Sequence, residues 1–331
     1  MPARALRAAG AAIMMRAMPP PPDSQMLIFD RATLRRRRDR AAPGFAAHDF
    51  LVARAAEDIA DRIAGVNRDF AVAADLGCHQ GALSRALGAG GPAAGKIGML
   101  VSADMSLPML RSAPAPRVVA DEEALPFGNA SLNLATSILS LHWANDLPGA
   151  LIQIRRALKP DGLFVAALFG GETLTELRQS LTEAEIEMEG GLSPRVSPFA
   201  DLRDVGALLQ RAGFALPVAD TDRVTVRYAD PFRLMAELRG MGETNALAQR
   251  RRTPLRRATL MRMAEIYRDK FGLPDGRIPA TFDIVIATGW APHEDQQKPL
   301  RPGSAQTRLA DALGASEIKA GEKAGPGGEN S

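Results

Sequence analysis

The ten residues Ala73-Ala74-Asp75-Leu76-Gly77-Cys78-His79-Gln80-Gly81-Ala82 constrain this chain more than any others. Phe70, Val72 and Ala74 lead in as an apolar strand, Asp75 ends it, and a glycine loop passes into a helix from Ala82. Loops that cradle phosphate set backbone N–H groups and a lysine against negative charge. Here a carboxylate stands at the loop instead, so the expected ligand brings positive charge, such as an amino group. A nicotinamide dinucleotide fold carries G-x-G-x-x-G, and this loop has His79 where the middle glycine belongs. Histidine tolerates the positive φ of such a position better than branched residues do.

The pattern recurs downstream. A second strand, Ile97 to Ala103, ends in Asp104; an acid about 20 residues past a glycine loop is the usual partner of a ribose diol. Val118-Val119-Ala120 runs into Asp121-Glu122-Glu123, Leu132 to Leu139 runs into Ser140-Leu141-His142-Trp143, and Leu163 to Phe169 follows the turn Lys159-Pro160-Asp161-Gly162. This succession resembles the class I S-adenosylmethionine (SAM) methyltransferases. The resemblance implies an α/β, Rossmann-like sheet with helices on both faces, an α-helical cap in the C-terminal half, and SAM as cofactor. It places Asp75, Gly77 and Gly81 at the methionine part, Asp104, followed by Met105, at the ribose, and Asp121 with Glu122 at the adenine.

Motifs beyond residue 140 narrow the likeness. Ser140 to Pro148, Phe169-Gly170-Gly171-Glu172-Thr173-Leu174, Glu189 to Pro194, Gly240-Met241-Gly242-Glu243-Thr244-Asn245, Pro279 to Phe282 and Gly289-Trp290 resemble the mitochondrial complex I assembly factor five family and its bacterial relatives. Malonyl-acyl carrier protein methyltransferases are more distant in resemblance. The likeness runs from about Phe29 to Gly314 and implies work on or near the matrix arm of complex I. The acceptor is then a complex I subunit or, through the distant relatives, an acyl carrier protein. An animal member is regarded as a protein-arginine hydroxylase, so hydroxylation, or SAM binding without catalysis in assembly, stands beside methyl transfer.

Strand–helix alternation continues without a linker, so residues 46–292 are expected to form one domain, with cap elements at about 172–215 and 231–275. Residues 1–25 read as a disordered basic tail lacking the long apolar region of a secretory signal, 26–45 as a basic lead-in helix, and 293–331, rich in Pro, Gly, Lys and Glu, as a mostly disordered tail. Residues 1–40 hold nine arginines against three aspartates, a net of +6; the whole chain is +3, so the remainder carries −3. The run Arg35-Arg36-Arg37-Arg38-Asp39-Arg40 reads as a solvated helix face or a contact for an acidic partner. No nucleic-acid module accompanies it. The single Cys78 excludes internal disulfides, and no apolar run approaches the ~20 residues of a membrane span. The composition suits a high-GC bacterial gene, and the expected location is cytoplasmic, peripheral to the inner membrane through complex I.

His142 and Trp143 follow the fourth strand, where the mouth of such a sheet lies. His142 is the candidate base, and Trp143 is a candidate neighbour for the sulfonium; the alternative is a packing element under the cap. Asp146 is placed to cap the next helix. A non-haem iron centre needs two histidines and a carboxylate, and none of His48, His79, His142 and His293 forms such a set with an acid in sequence.

Overall fold

The computed structural model describes residues 27–88, 90–296 and 314. The expected tail 1–25 and nearly all of 293–331 lie outside the described residues. The strands are β1 (Phe70–Leu76), β2 (Ile97–Asp104), β3 (Arg117–Val119), β4 (Leu132–Ile138), β5 (Leu158–Phe169), β6 (Ala215–Tyr228) and β7 (Ile278–Trp290). The helices are α1 (Arg31–Ala41), α2 (Phe50–Gly65), α3 (Ala82–Ala86), α4 (Leu107–Ser112), α5 (Leu147–Ala157), α6 (Thr175–Glu189), α7 (Leu202–Arg211), α8 (Pro231–Gly240) and α9 (Arg257–Phe271).

One sheet runs in the order β3-β2-β1-β4-β5-β7-β6. The first five strands are parallel, and β7 is antiparallel to both neighbours. Parallel strands need both faces covered, and alternation along β5 provides two buried faces. Leu163, Val165, Ala167 and Phe169 point into one core with α2, α6, α8 and α9. Phe164, Ala166 and Leu168 point into the other with α5 and α7. Of the helices expected as a cap, α7 therefore lies on the opposite sheet face from α6, α8 and α9.

Local chemistry sets the boundaries. Asp30 and Asp230 accept the first-turn N–H groups of Thr33 and Arg233, each at 2.9 Å, and start α1 and α8. Asp146 caps α5 through Gly149 at 2.8 Å, as its position suggested. β6 begins eight residues before the strand expected from Arg223, and alternates half-buried and exposed positions as an edge strand does. Lys159 to Gly162 lies inside β5 rather than before it, with Asp161 at φ +61 and the register against β4 interrupted nearby. No described helix is long and apolar enough to cross a membrane.

Candidate functional site

The tips of β1, β2 and β4 meet at one buried place. Asp75 lies 1% exposed, and one of its oxygens accepts from Thr136 Oγ1 at 3.1 Å while Oδ2 has no partner. Burial pushes its carboxyl up to about 7; the Thr136 bond opposes this and the charge of Asp104 adds to it. The loop after Asp75 is tight. Gly77 and Gly81 sit at φ +69 and +78, and a Cβ would fall 2.2 Å from Ser140 at the first and 2.6 Å from Pro114 at the second.

His79 adopts φ +51 and is itself buried. Its N–H donates to Asp104 Oδ2 at 3.0 Å, its Nε2 pairs with the Ile138 carbonyl at 2.9 Å, and its ring stacks on Phe45. Burial, then the charge of Arg38, push its pKa down, so the imidazole is neutral. The glycine missing from this loop is thus replaced by a buried side chain anchored to the last residue of β4 and stacked on Phe45. Cys78 is buried, and burial pushes its thiol up and out of reactivity.

Asp104 uses both oxygens, accepting from Ser106 N at 2.7 Å as well as from His79 N. Glu122 accepts from Ser140 Oγ and from Arg31. Asp121 also takes Arg31, together with the Glu123 N–H at 2.9 Å. Met105 packs with Phe29, Leu34 and Trp143. The unforeseen member is Arg38. It is 1% exposed, donates to Ser140 Oγ at 2.9 Å, and holds Nη1 3.5 Å from Glu122 and 3.8 Å from Asp104, too far for a hydrogen bond. Burial would raise Glu122, yet the charges of Arg31 and Arg38 with the Ser140 bond hold it at about 2. Arg31 and Arg38 are two helical turns apart and so share a face of α1. The basic run is therefore not one solvated surface: Arg35, Arg36 and Arg40 are exposed while Arg38 is buried.

The donor set suits the ligand that the sequence implied. Asp75 Oδ2, Ser137 Oγ and Arg38 Nη1 are all buried without hydrogen-bond partners. A lone buried carboxylate oxygen is a place for an ammonium group, and free hydroxyl and guanidinium groups are places for polar oxygens.

Beside these tips lies a second cluster. Glu243, from the turn after α8, takes His142 Nε2 at 3.2 Å and the Trp143 indole N–H at 2.8 Å on one oxygen. Burial would push Glu243 up; the hydrogen bond and charge of His142, with the charge of Arg38 beyond, overcome this and hold it below its ordinary value. Trp143 is fully buried, edge-on to Phe29. The His142 ring sits among Trp143, Phe169 and Phe199, with Nδ1 unpartnered. Both side chains are thus packed, and both converge on a carboxylate 101 and 100 residues away in sequence. Among the described residues no three His, Cys, Asp or Glu side chains group as metal ligands; His48 pairs with Glu237 at 3.0 Å.

A family model for a methyltransferase domain matches residues 74–166, a stretch that starts within β1 and ends near the end of β5. A putative methyltransferase from Bacillus halodurans shares the fold at a TM-score of 0.50 and 15% identity, over 72% of this chain and 99% of that one. A malonyl-[acyl-carrier protein] O-methyltransferase of Methylovorus sp. is 32% identical over 279 residues, 80% of this chain and 90% of the relative. The human mitochondrial arginine-hydroxylase NDUFAF5 is 44% identical over 291 residues, 86% of this chain and 83% of the relative. These names correct one expectation: relatives of 41–44% identity from zebrafish, mouse and human are mitochondrial proteins, against the cytoplasmic bacterial location inferred from composition. With such identity along most of both chains, this protein, a methyltransferase-fold chain, belongs to the family of the arginine-hydroxylase NDUFAF5 proteins.

Proposed function

We propose that this protein binds SAM at the tips of β1, β2 and the turn after β3, and transfers its methyl group to a side chain of a protein acceptor. When bound, SAM supplies a methyl group on a positively charged sulfur. Asp75 takes the amino group, Asp104 the ribose diol and the Asp121–Glu122 turn the adenine, while Gly77 and Gly81 keep the loop close to the strands. The observation that carries the reading is the buried Glu243–His142 pair with its free Nδ1. Glu243 fixes one ring nitrogen and stabilises the imidazolium, so Nδ1 is the atom that receives the proton of the acceptor. Trp143 fixes Glu243 in turn through its indole N–H.

The family suggests a complex I matrix-arm subunit as acceptor, and the malonyl-acyl carrier protein relative suggests an acyl carrier protein. The name of the NDUFAF5 relatives favours a second reading, hydroxylation of an arginine, which draws on a redox cofactor for oxygen insertion. Purified protein incubated with methyl-labelled SAM, ¹⁸O₂, an iron(II) salt, ascorbate as two-electron reductant and a recombinant matrix-arm subunit separates the readings by mass spectrometry of the subunit. A gain of one labelled methyl supports transfer. A gain of one ¹⁸O refutes it in favour of hydroxylation, and SAM binding with no product leaves an assembly role without catalysis.

A further inference from the structure

A cavity of about 770 Å³ opens beside the His142–Glu243 pair, with Glu243 and Phe199 in the shared wall. Its floor is apolar: Leu174 precedes α6, Leu177 and Leu181 come from α6, Met235 and Leu238 from α8, and Leu260 from α9. Its charged lining is mostly cationic, with seven arginines against two carboxylates, Asp30 and Glu243. Three of the arginines are matched: Arg195 by Glu185, Arg250 by Asp30 and Arg251 by Glu189. Arg36, Arg37, Arg239 and Arg252 have no carboxylate within 4.0 Å among the described residues. Arg37 is half-buried, and burial with the charges of Arg250, Arg40 and Arg36 drives its guanidinium down to about 10. Ser197, on the same lining, is 4% exposed and its hydroxyl has no hydrogen-bond partner.

Arg36 donates to Thr33 Oγ1 at 2.8 Å and Arg37 to the Thr244 carbonyl at 2.6 Å, and Asp30, already paired with Arg250, opposes the repulsion at Arg37 without overcoming it. Crowded like charges destabilise a fold, and an anion between them removes that cost. An acidic peptide spreads its carboxylates along a chain. A phosphate monoester instead gathers up to two negative charges and several acceptor oxygens at one point, which suits guanidinium groups that line one cavity without carboxylate partners. The volume falls in the range of small-ligand pockets, and the leucine floor accounts for an apolar body. We propose that this cavity binds a single-chain amphiphile with a phosphate monoester head, its chain over the leucines of α6 and α8 and its phosphate against Arg36, Arg37 and Arg252. This does not rest on the chemistry assigned to the strand tips.

The test is calorimetry of the full chain with decyl phosphate below its micelle concentration, beside hexyl phosphate, decanol and inorganic phosphate. The expected result is one-to-one binding of decyl phosphate at least tenfold tighter than that of any of the other three. Arg37→Gln/Arg252→Gln should weaken it at least tenfold, with the melting temperature of the unliganded protein retained. Equal binding of decanol would show an apolar pocket with no headgroup site and overturn the proposal. So would equal binding of hexyl and decyl phosphate, an absence of binding, or capture of a Glu- and Leu-rich peptide in place of decyl phosphate. If the double variant loses stability, the chain-length series in the unaltered protein decides alone.

Discussion

Replacing Arg38 by methionine keeps most of its stem volume and removes the charge beneath the strand-tip acids. Glu122 is held at about 2 against an ordinary 4.5. At ~1.4 kcal/mol per pH unit, that gap is about 3 kcal/mol of folding free energy. Because the folded value lies below the unfolded one, the contribution is complete above the ordinary value and is lost as pH falls through the folded value. Removing one partner of a buried ion pair costs about 3–5 kcal/mol. Arg31 still reaches Glu122, so Arg38→Met is expected at the lower end, ~3 kcal/mol at pH 7. At pH 3 the deficit should fall to about half, because Glu122 of the variant is then largely protonated and no longer needs a partner. Urea unfolding at the two pH values, with an unchanged slope, reads this directly. A deficit below about 0.5 kcal/mol at pH 7, or one equal at both pH values, would refute the buried ion-pair account.

Asp75 sits at about 7 through burial, so in the unliganded protein its protonated form is favoured at acid pH and stability declines as pH rises through that value. An ammonium partner requires the carboxylate, so SAM affinity measured by calorimetry should rise from pH 6 to 8; Asp75→Asn should weaken binding and flatten the profile, and a flat profile in the unaltered protein would sink the assignment. Asp104→Asn should lower both melting temperature and SAM affinity, by about 1–3 kcal/mol each, because the amide's N–H₂ faces a backbone donor at His79 or Ser106; wild-type behaviour in both measurements would disprove its double role. His142→Ala should leave SAM binding intact and cut turnover by roughly 10²–10⁴, and Glu243→Gln should lower turnover with the aromatic packing kept; activity that merely follows the folded fraction in both variants would return His142 to a packing role.

The strand tips were legible because each coincides with a local pattern: an apolar run, then an acid, then a glycine or a turn. Asp75, Asp104 and Glu122 fall together since parallel strands in this order bring their C-terminal ends to one side of the sheet. Arg38 was not legible. Consecutive arginines from Arg35 have no apolar periodicity to orient the helix, and only the seven-residue interval to Arg31, seen against the buried acids, selects the inward face. Glu243 stood in a glycine-rich motif whose sequence says nothing of a partner a hundred residues earlier. β6 starts early because Asp220 and Asp222 read as a loop, whereas in the fold they answer Arg62 and Arg54 of α2 on the sheet's edge.

The final strand has a consequence for how the chain is made. β7 ends at Trp290, yet it lies between β5 and β6. As a ribosome releases the polypeptide, the five parallel strands can pair once Phe169 has emerged. β6 then has no place to bind, because the gap of one strand width, about 4.8 Å, belongs to residues not yet synthesised. Until they appear, β5 presents an unpaired apolar edge of the kind that recruits other chains. The last strand therefore works as a keystone: a chain stopped at residue 277 should aggregate or remain protease-sensitive around β5 and β6, and one stopped at residue 292 should be resistant. Equal resistance of the two would show that the sheet closes without it.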